Sequence, residues 1–180
     1  MIPHLTGVRK GFVQIGTFSA KNHRAPAASA RGRVRYTTRM HVDIYSDGSR
    51  LDLAGPVGWA CEVVHQGRRW HESGVIASAS LILAEAHGAR CGVALALHHG
   101  ATALDLFLDA QIVIDLIEGR HHHLLTDPAL AACVAQIQAW RTSHALRLHK
   151  VKAHSGGCSG NSWVDGEARR VLNALRVRRG

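Results

Sequence analysis

No stretch of this 180-residue chain stays apolar for the roughly 18 residues that a membrane helix needs, because the longest candidate, residues 77–97, is broken by Glu85, His87 and Arg90. A soluble protein is expected. The four cysteines, Cys61, Cys91, Cys133 and Cys158, are far apart and form no Cys-x-x-Cys pair, so neither a zinc spacing nor a disulfide framework is suggested. That points to a reducing compartment, and a cytoplasmic location is the expectation. Acidic residues are missing from the whole amino-terminal stretch: the first is Asp43. Charged residues amount to only 19% against 46% hydrophobic, which excludes a chain disordered throughout. The length fits one domain plus an extension.

The net charge of +9 is unevenly placed. Residues 1–39 hold eight basic side chains and no acid, and residues 169–180 add five arginines, which leaves a net −4 on residues 40–168. An acidic body that works on a polyanion needs those basic ends, or bound metal cations, to offset repulsion. Residues 1–39 are rich in Gly, Ala, Ser and Arg and show no sustained period of 2 or 3.6, so a flexible basic extension is expected there. A nucleic-acid arm and an unused extension before Met40 rank ahead of an organellar transit peptide, since no amphipathic helix is evident. The folded domain is expected over 40–176, with a basic tail at 177–180.

From His41 the pattern alternates, placing Val42, Ile44 and Ser46 on one face and Asp43 and Tyr45 on the other, and the strand is expected to end at Asp47-Gly48-Ser49. Residues 57–64 and 68–75 read as a hairpin turning at His65-Gln66-Gly67. Ser80 caps a helix reaching about His99, with Leu81, Ala84, Ala89, Val93, Ala96 and Leu97 as its apolar face and Gly100 as its stop. A buried strand from Ala103 ends at Asp109, and residues 111–117 form a short helix. Asp127-Pro128 opens a helix to Trp140. Residues 145–151 alternate again, and a last helix spans 161–175. The order βββ-α-β-α-α-β-α predicts an α/β fold, with a sheet of mixed direction covered by helices.

On this frame Asp47 ends the first strand, Glu85 faces inward from the long helix, and Asp109 ends the fourth strand. Each acid alone is unremarkable. Together with His154 and Asp165 on a later glycine-rich loop and helix, they make a set suited to a hard cation. Mg²⁺ prefers oxygen ligands and bridges to phosphate oxygens.

The segments Ile44-Tyr-Ser-Asp-Gly-Ser49, Ala84-Glu-Ala-His-Gly-Ala-Arg90, Leu108-Asp-Ala-Gln111, Val151-Lys-Ala-His-Ser155 and Gly160-Asn-Ser-Trp-Val-Asp-Gly-Glu-Ala168 resemble type I ribonuclease H, from about Met40 to Leu175. The resemblance implies a ribonuclease H-like five-stranded mixed sheet flanked by helices. It also implies metal-dependent cleavage of the RNA strand of RNA–DNA hybrids, leaving 3′-hydroxyl and 5′-phosphate ends. Asp47, Glu85, Asp109 and Asp165 would hold two Mg²⁺ ions, with Mn²⁺ a possible substitute, and His154 would shuttle protons. Gly48, Ser49, Gln111 and Asn161 would serve the substrate, Asn161 by ordering the chain near Asp165. The partner would be an RNA–DNA hybrid, with no membrane involved and the protein a monomer.

The chain departs from that pattern in places. Where hybrid-discriminating members present Asn or Gln to sugar 2′-hydroxyls, this sequence has Arg50-Leu51-Asp52-Leu53 and Ser80-Leu81-Ile82, with Gln111 alone retained. The 2′-hydroxyl is what separates RNA from DNA, so weaker strand discrimination is an alternative. The 45-residue interval from Asp109 to His154 is short for a basic helical handle and holds Gly119-Arg-His-His-His123 instead, which reads as a solvated turn. A non-catalytic binding module and a DNA-directed metal nuclease of the same fold are the other readings.

Overall fold

The computed structural model describes residues 40–152 and 159–177. Alternating apolar residues build three antiparallel strands first: β1 (His41–Arg50), β2 (Val57–His65) and β3 (Arg68–Ile76). β2 and β3 are joined at Gln66 and Gly67, whose φ values of 47° and 81° define a turn that matches the twist of paired strands. β1 runs past the predicted stop to Arg50, because β2 supplies partners as far as Val57.

Helix α1 (Leu81–His98) starts at Ser80, whose hydroxyl accepts the Leu83 N–H at 3.2 Å, and is closed by Gly100 at φ 85°. Its buried face differs from the predicted one. Leu83, Ala86 and Cys91 are buried, whereas Leu81 and Leu97 are only half-buried, because α1 lies between the sheet and a second helix and is covered on two sides. Then follow β4 (Ala103–Leu108), α2 (Gln111–Ile117), a 3₁₀ turn at His122–Leu124, α3 (Pro128–Ser143), β5 (Ala145–Lys150) and α4 (Ser159–Val177). The Asp127 carboxylate caps α3 by accepting the Ala129 N–H at 2.8 Å, and α3 continues beyond Trp140 to Ser143.

The sheet order is β3-β2-β1-β4-β5, with β1 antiparallel to β2 but parallel to β4, and β4 parallel to β5. The mixed five-stranded sheet and the predicted order of elements are therefore both present. Gly92 of α1 lies against Ile44, and Gly160 of α4 lies against Tyr45. Adjacent strand residues point to opposite faces, so α1 and α4 cover opposite sides of β1. The main core lies on the α1 side, where Val42, Ile44, Leu104, Leu106 and Leu108 meet Val93, Leu116 and Ile137, all essentially inaccessible to solvent. Burying each such side chain contributes roughly 1.5–3 kcal/mol. Across the sheet a smaller cluster of Ala60, Val164 and Ala168 packs with Tyr45 and Trp163. Among the described residues, no helix is long and apolar enough to cross a membrane.

Candidate active site

The register of β1 and β4 pairs Asp43 with Asp105 and Tyr45 with Phe107. Two residues further on along each segment, past the last paired rung, come Asp47 and Asp109, whose carboxylate oxygens lie within 4.8 Å of each other. Parallel neighbours end on the same edge of a sheet, so two carboxylates from distant sequence meet there.

Glu85 arrives from the other layer. A side chain at Gly48 would bring a Cβ to 3.0 Å from both the Ala84 Cβ and the Glu85 backbone nitrogen, so glycine is what lets α1 close on β1. Ligand oxygens of Asp47, Glu85 and Asp109 then all lie within 4.8 Å of one another. Asp165, on α4, lines the same cleft, an open space of roughly 250 Å³. Gly48, Ser49 and Leu81 also line it, as do two arginines, Arg50 and Arg169.

Asp47 and Glu85 are each only 6% exposed. Burial raises the Asp47 carboxyl to about 7, and the nearby Asp109 carboxylate adds to the rise. Burial likewise pushes Glu85 well above the ordinary carboxyl range, followed by the charges of Asp47 and Asp109. Oxygens of the two carboxyls lie within 4.8 Å of each other, close enough that the metal-free pair favours keeping a proton. Glu85 Oε2 is buried and has no hydrogen-bond partner. A proton-holding carboxyl pair, a third carboxylate and an unsatisfied oxygen form a donor set that fits a divalent cation of the Mg²⁺ type, which takes oxygen ligands. A cation there would replace the proton and remove the repulsion.

The remaining predicted residues fall into two groups. Ser49 lies at the cleft, and Gly48 donates its N–H to Asp47 Oδ1 at 2.8 Å. Gln111 does not line the cleft: its amide donates to Asp115 Oδ1 at 2.8 Å, one turn along α2. Asn161 is 2% exposed, which suits ordering of the start of α4 and not direct contact with a substrate. His154 lies outside the described residues, as do the arm of residues 1–39 and the tail at 178–180. The histidine-rich turn closes on α2, where Arg120 pairs with Asp115 and Glu118.

Three residues near the site escaped the sequence reading. Arg169 donates to Asp165 Oδ1 at 2.7 Å, a pair whose i, i+4 spacing is visible in the sequence. Arg50 follows the predicted strand end directly. Lys150 donates its ammonium to the Asp109 carbonyl, a contact that depends on the pairing of β4 and β5 and has no local signal.

A mixed five-stranded sheet of this order, with carboxylates from two parallel strands and a crossing helix gathered at one edge, is a ribonuclease H-like α/β architecture. The RNase H family model matches residues 39–173, and the chain belongs to that family. Among solved structures, the chain is similar to the N-terminal RNase H domain of Rv2228c from Mycobacterium tuberculosis, with 22% identity, a TM-score of 0.65, and coverage of 78% of this chain and 99% of that one. It is also similar to RNase H1 from the halophilic archaeon Halobacterium salinarum NRC-1, at 20% identity and TM-score 0.63, covering 74% and 98% of the two chains. LC11-RNase H1, solved in complex with an RNA/DNA hybrid, matches at 15% identity and TM-score 0.58, covering 73% and 99%. At these identities the likeness establishes the fold. No curated protein matches the chain significantly in sequence.

Proposed function

We propose that this protein is a divalent-metal-dependent endoribonuclease that hydrolyses the RNA strand of RNA–DNA hybrids, leaving 3′-hydroxyl and 5′-phosphate ends. The observation that carries this reading is the buried convergence of Asp47, Glu85 and Asp109 within 4.8 Å, beside Asp165, in a chain of the RNase H family. A hybrid-bound relative of the same fold supports the substrate class.

Asp47, Glu85, Asp109 and Asp165 are the residues that would hold two Mg²⁺ ions. Such a pair supplies activation of a water and stabilisation of the leaving 3′-oxygen. The chain contributes the rest. Gly48 keeps α1 close enough for Glu85 to reach the strand ends, and Lys150 fixes the backbone at Asp109. His154 would move protons, since imidazole is the side-chain type suited to proton transfer at neutral pH.

A relaxed strand preference is the second reading, favoured by the cleft itself. It presents Arg50 and Leu81 where amide contacts to the 2′-hydroxyl were expected, and Gln111 turns away from it. Cleavage of matched hybrid, RNA duplex and DNA duplex with Mg²⁺ and with Mn²⁺ tests both readings. Hybrid cleavage lost in Asp47→Asn supports the nuclease. RNA-duplex cleavage within about tenfold of hybrid supports relaxed preference. Cleavage of none of the three overturns both.

A further inference from the structure

Four carboxylates line the cleft, but only three are gathered. Ligand oxygens of Asp47, Glu85 and Asp109 are mutually close, and Asp165 is outside that group. One turn along α4, the Arg169 guanidinium takes Asp165 Oδ1 at 2.7 Å. Arg169 is therefore a cation of the protein's own, placed on the one acid that has not joined the cluster. It is half exposed, with 52% of its side chain accessible, so it can leave Asp165 at little packing cost. The second arginine of the cleft, Arg50, is exposed and makes no hydrogen bond or ion pair among the described residues. A guanidinium at the mouth of an acidic cleft is a fork suited to phosphate oxygens.

We propose that Arg169 has two successive partners. In the metal-free protein it holds Asp165 out of the cluster. When a cation draws Asp165 in, Arg169 is released to a phosphate of the bound strand, which Arg50 also contacts. This rests on the nuclease reading for the identity of the strand. Arg169 is a positioning residue toward Asp165 and a binding residue toward phosphate. Recognition by these two forks reads backbone charge, which RNA and DNA share, and not the 2′-hydroxyl that separates them. The cleft would thus grip the strand without discriminating its sugar.

The two roles push opposite ways, and that makes them separable. In full-length protein, Mn²⁺ alone is titrated calorimetrically into wild type, Arg169→Ala, Arg169→Lys and Arg50→Ala. Binding of a labelled hybrid is then followed by anisotropy in Ca²⁺ over a range of salt concentrations. Removing the exposed guanidinium that competes for Asp165 should tighten the weaker Mn²⁺ site on the order of fivefold in Arg169→Ala. Hybrid binding by the same variant should weaken, and its salt slope should fall by roughly 0.7 to 0.9 for the lost phosphate contact. Arg169→Lys should keep most of the salt slope. Arg50→Ala should lose hybrid affinity and salt slope with its Mn²⁺ titration unchanged.

A merely structural arginine would weaken both ligands or neither. Unchanged or weaker Mn²⁺ binding in Arg169→Ala overturns the competition, and an unchanged salt slope overturns the phosphate contact. A wild type that shows both effects of the arginines yet cleaves no nucleic acid with Mg²⁺ would leave this proposal standing and remove the nuclease reading instead.

Discussion

Asp43 and Asp105 lie side by side on β1 and β4, and Asp47 and Asp109 come together further along, yet the two pairs sit in opposite electrostatic surroundings. At the first rung the protein supplies the cations. Asp105 accepts from Arg147 Nε and Nη2 at 2.7 Å each, and His149 Nε2 and His41 Nε2 approach its oxygens at 2.7 and 2.5 Å. Burial pushes this carboxyl upward, but the hydrogen bonds from Arg147, His149 and His41 outweigh it and hold Asp105 well below the usual carboxylate range. The rung between is a stack of rings, Tyr45 on Phe107 with centroids 5.0 Å apart and Phe107 on His149 at 4.7 Å. Beyond the rings, no arginine, lysine or histidine pairs with the carboxylates of Asp47, Glu85 or Asp109 among the described residues, and burial drives Asp47 and Glu85 upward.

Where a carboxylate ties three strands together, the chain brings its own arginine and histidines. Where Asp47, Glu85 and Asp109 gather, the chain supplies no such partner among the described residues, and the repulsion is a cost in stability that a bound cation would relieve. The comparison breaks first at Asp47 and Asp109. Asp47→Asn or Asp109→Asn should lower cleavage by at least about 10³-fold, roughly 4 kcal/mol of barrier, because each removes a proposed metal ligand. The metal-free fold should be unchanged or more stable, since repulsion is relieved. Steady-state cleavage of a labelled hybrid, paired with thermal melts in chelator, measures both. Residual activity above a few per cent in both variants would show that the cluster is not the catalytic centre.

His154→Ala should cost less, on the order of 10²-fold in kcat, which is the low end for one proton-transfer group. Calorimetric Mg²⁺ binding should stay as in wild type. A variant that lost metal binding would make His154 a ligand and extend the site cluster beyond carboxylates.

At the opposite rung, Asp105→Asn should leave turnover per folded molecule intact and lower stability by about 2 kcal/mol. Breaking a buried ion pair costs more than this in general, but here Arg147 is 68% exposed and water recovers part of the loss. A lower urea midpoint with unchanged kcat is the expected pair of results. Lost activity at full stability would mean that the first rung belongs to the site after all.

These two rungs also separate what is legible in the sequence from what is not. The Ser80 cap, the Asp127-Pro128 start and the inward-facing Glu85 depend on neighbours within a few residues, and each stands where local pattern places it. Asp47 and Asp109 could be paired because local pattern puts each near the end of its strand. Asp105 carries no such signal: it reads as one polar position in an alternating strand, and only the register of β1, β4 and β5 surrounds it with His41, Arg147 and His149. The buried face of α1 was displaced for the same reason, since packing against α3 has no counterpart in helical periodicity. Gln111 makes a local contact that the sequence reading did not include, its i, i+4 hydrogen bond to Asp115.

The smallest effect is a difference in sign with pH. Asp47 is raised to about 7 in the folded, metal-free protein, while an unfolded Asp ionises near 4. Its contribution to stability is complete below about pH 4 and is lost as pH rises through about 7. Asp105 is lowered, so its contribution is present above the ordinary carboxyl range and is lost only as pH falls through its depressed value. Between pH 5 and 8, then, the Asp105 carboxyl itself stays ionised while the site carboxyls titrate. Metal-free wild type should lose on the order of 1 to 2 kcal/mol across that interval from the site carboxyls, after discounting for their coupling. Saturating Mg²⁺ should restore more stability at pH 8 than at pH 5, because the cation competes with the carboxyl proton. In urea melts, Asp47→Asn should flatten the metal-free slope, while Asp105→Asn should lower the whole curve and keep its slope. If the slope in Asp47→Asn matched wild type, the histidines would be carrying the pH dependence, and the electrostatic contrast between the two rungs would not govern stability.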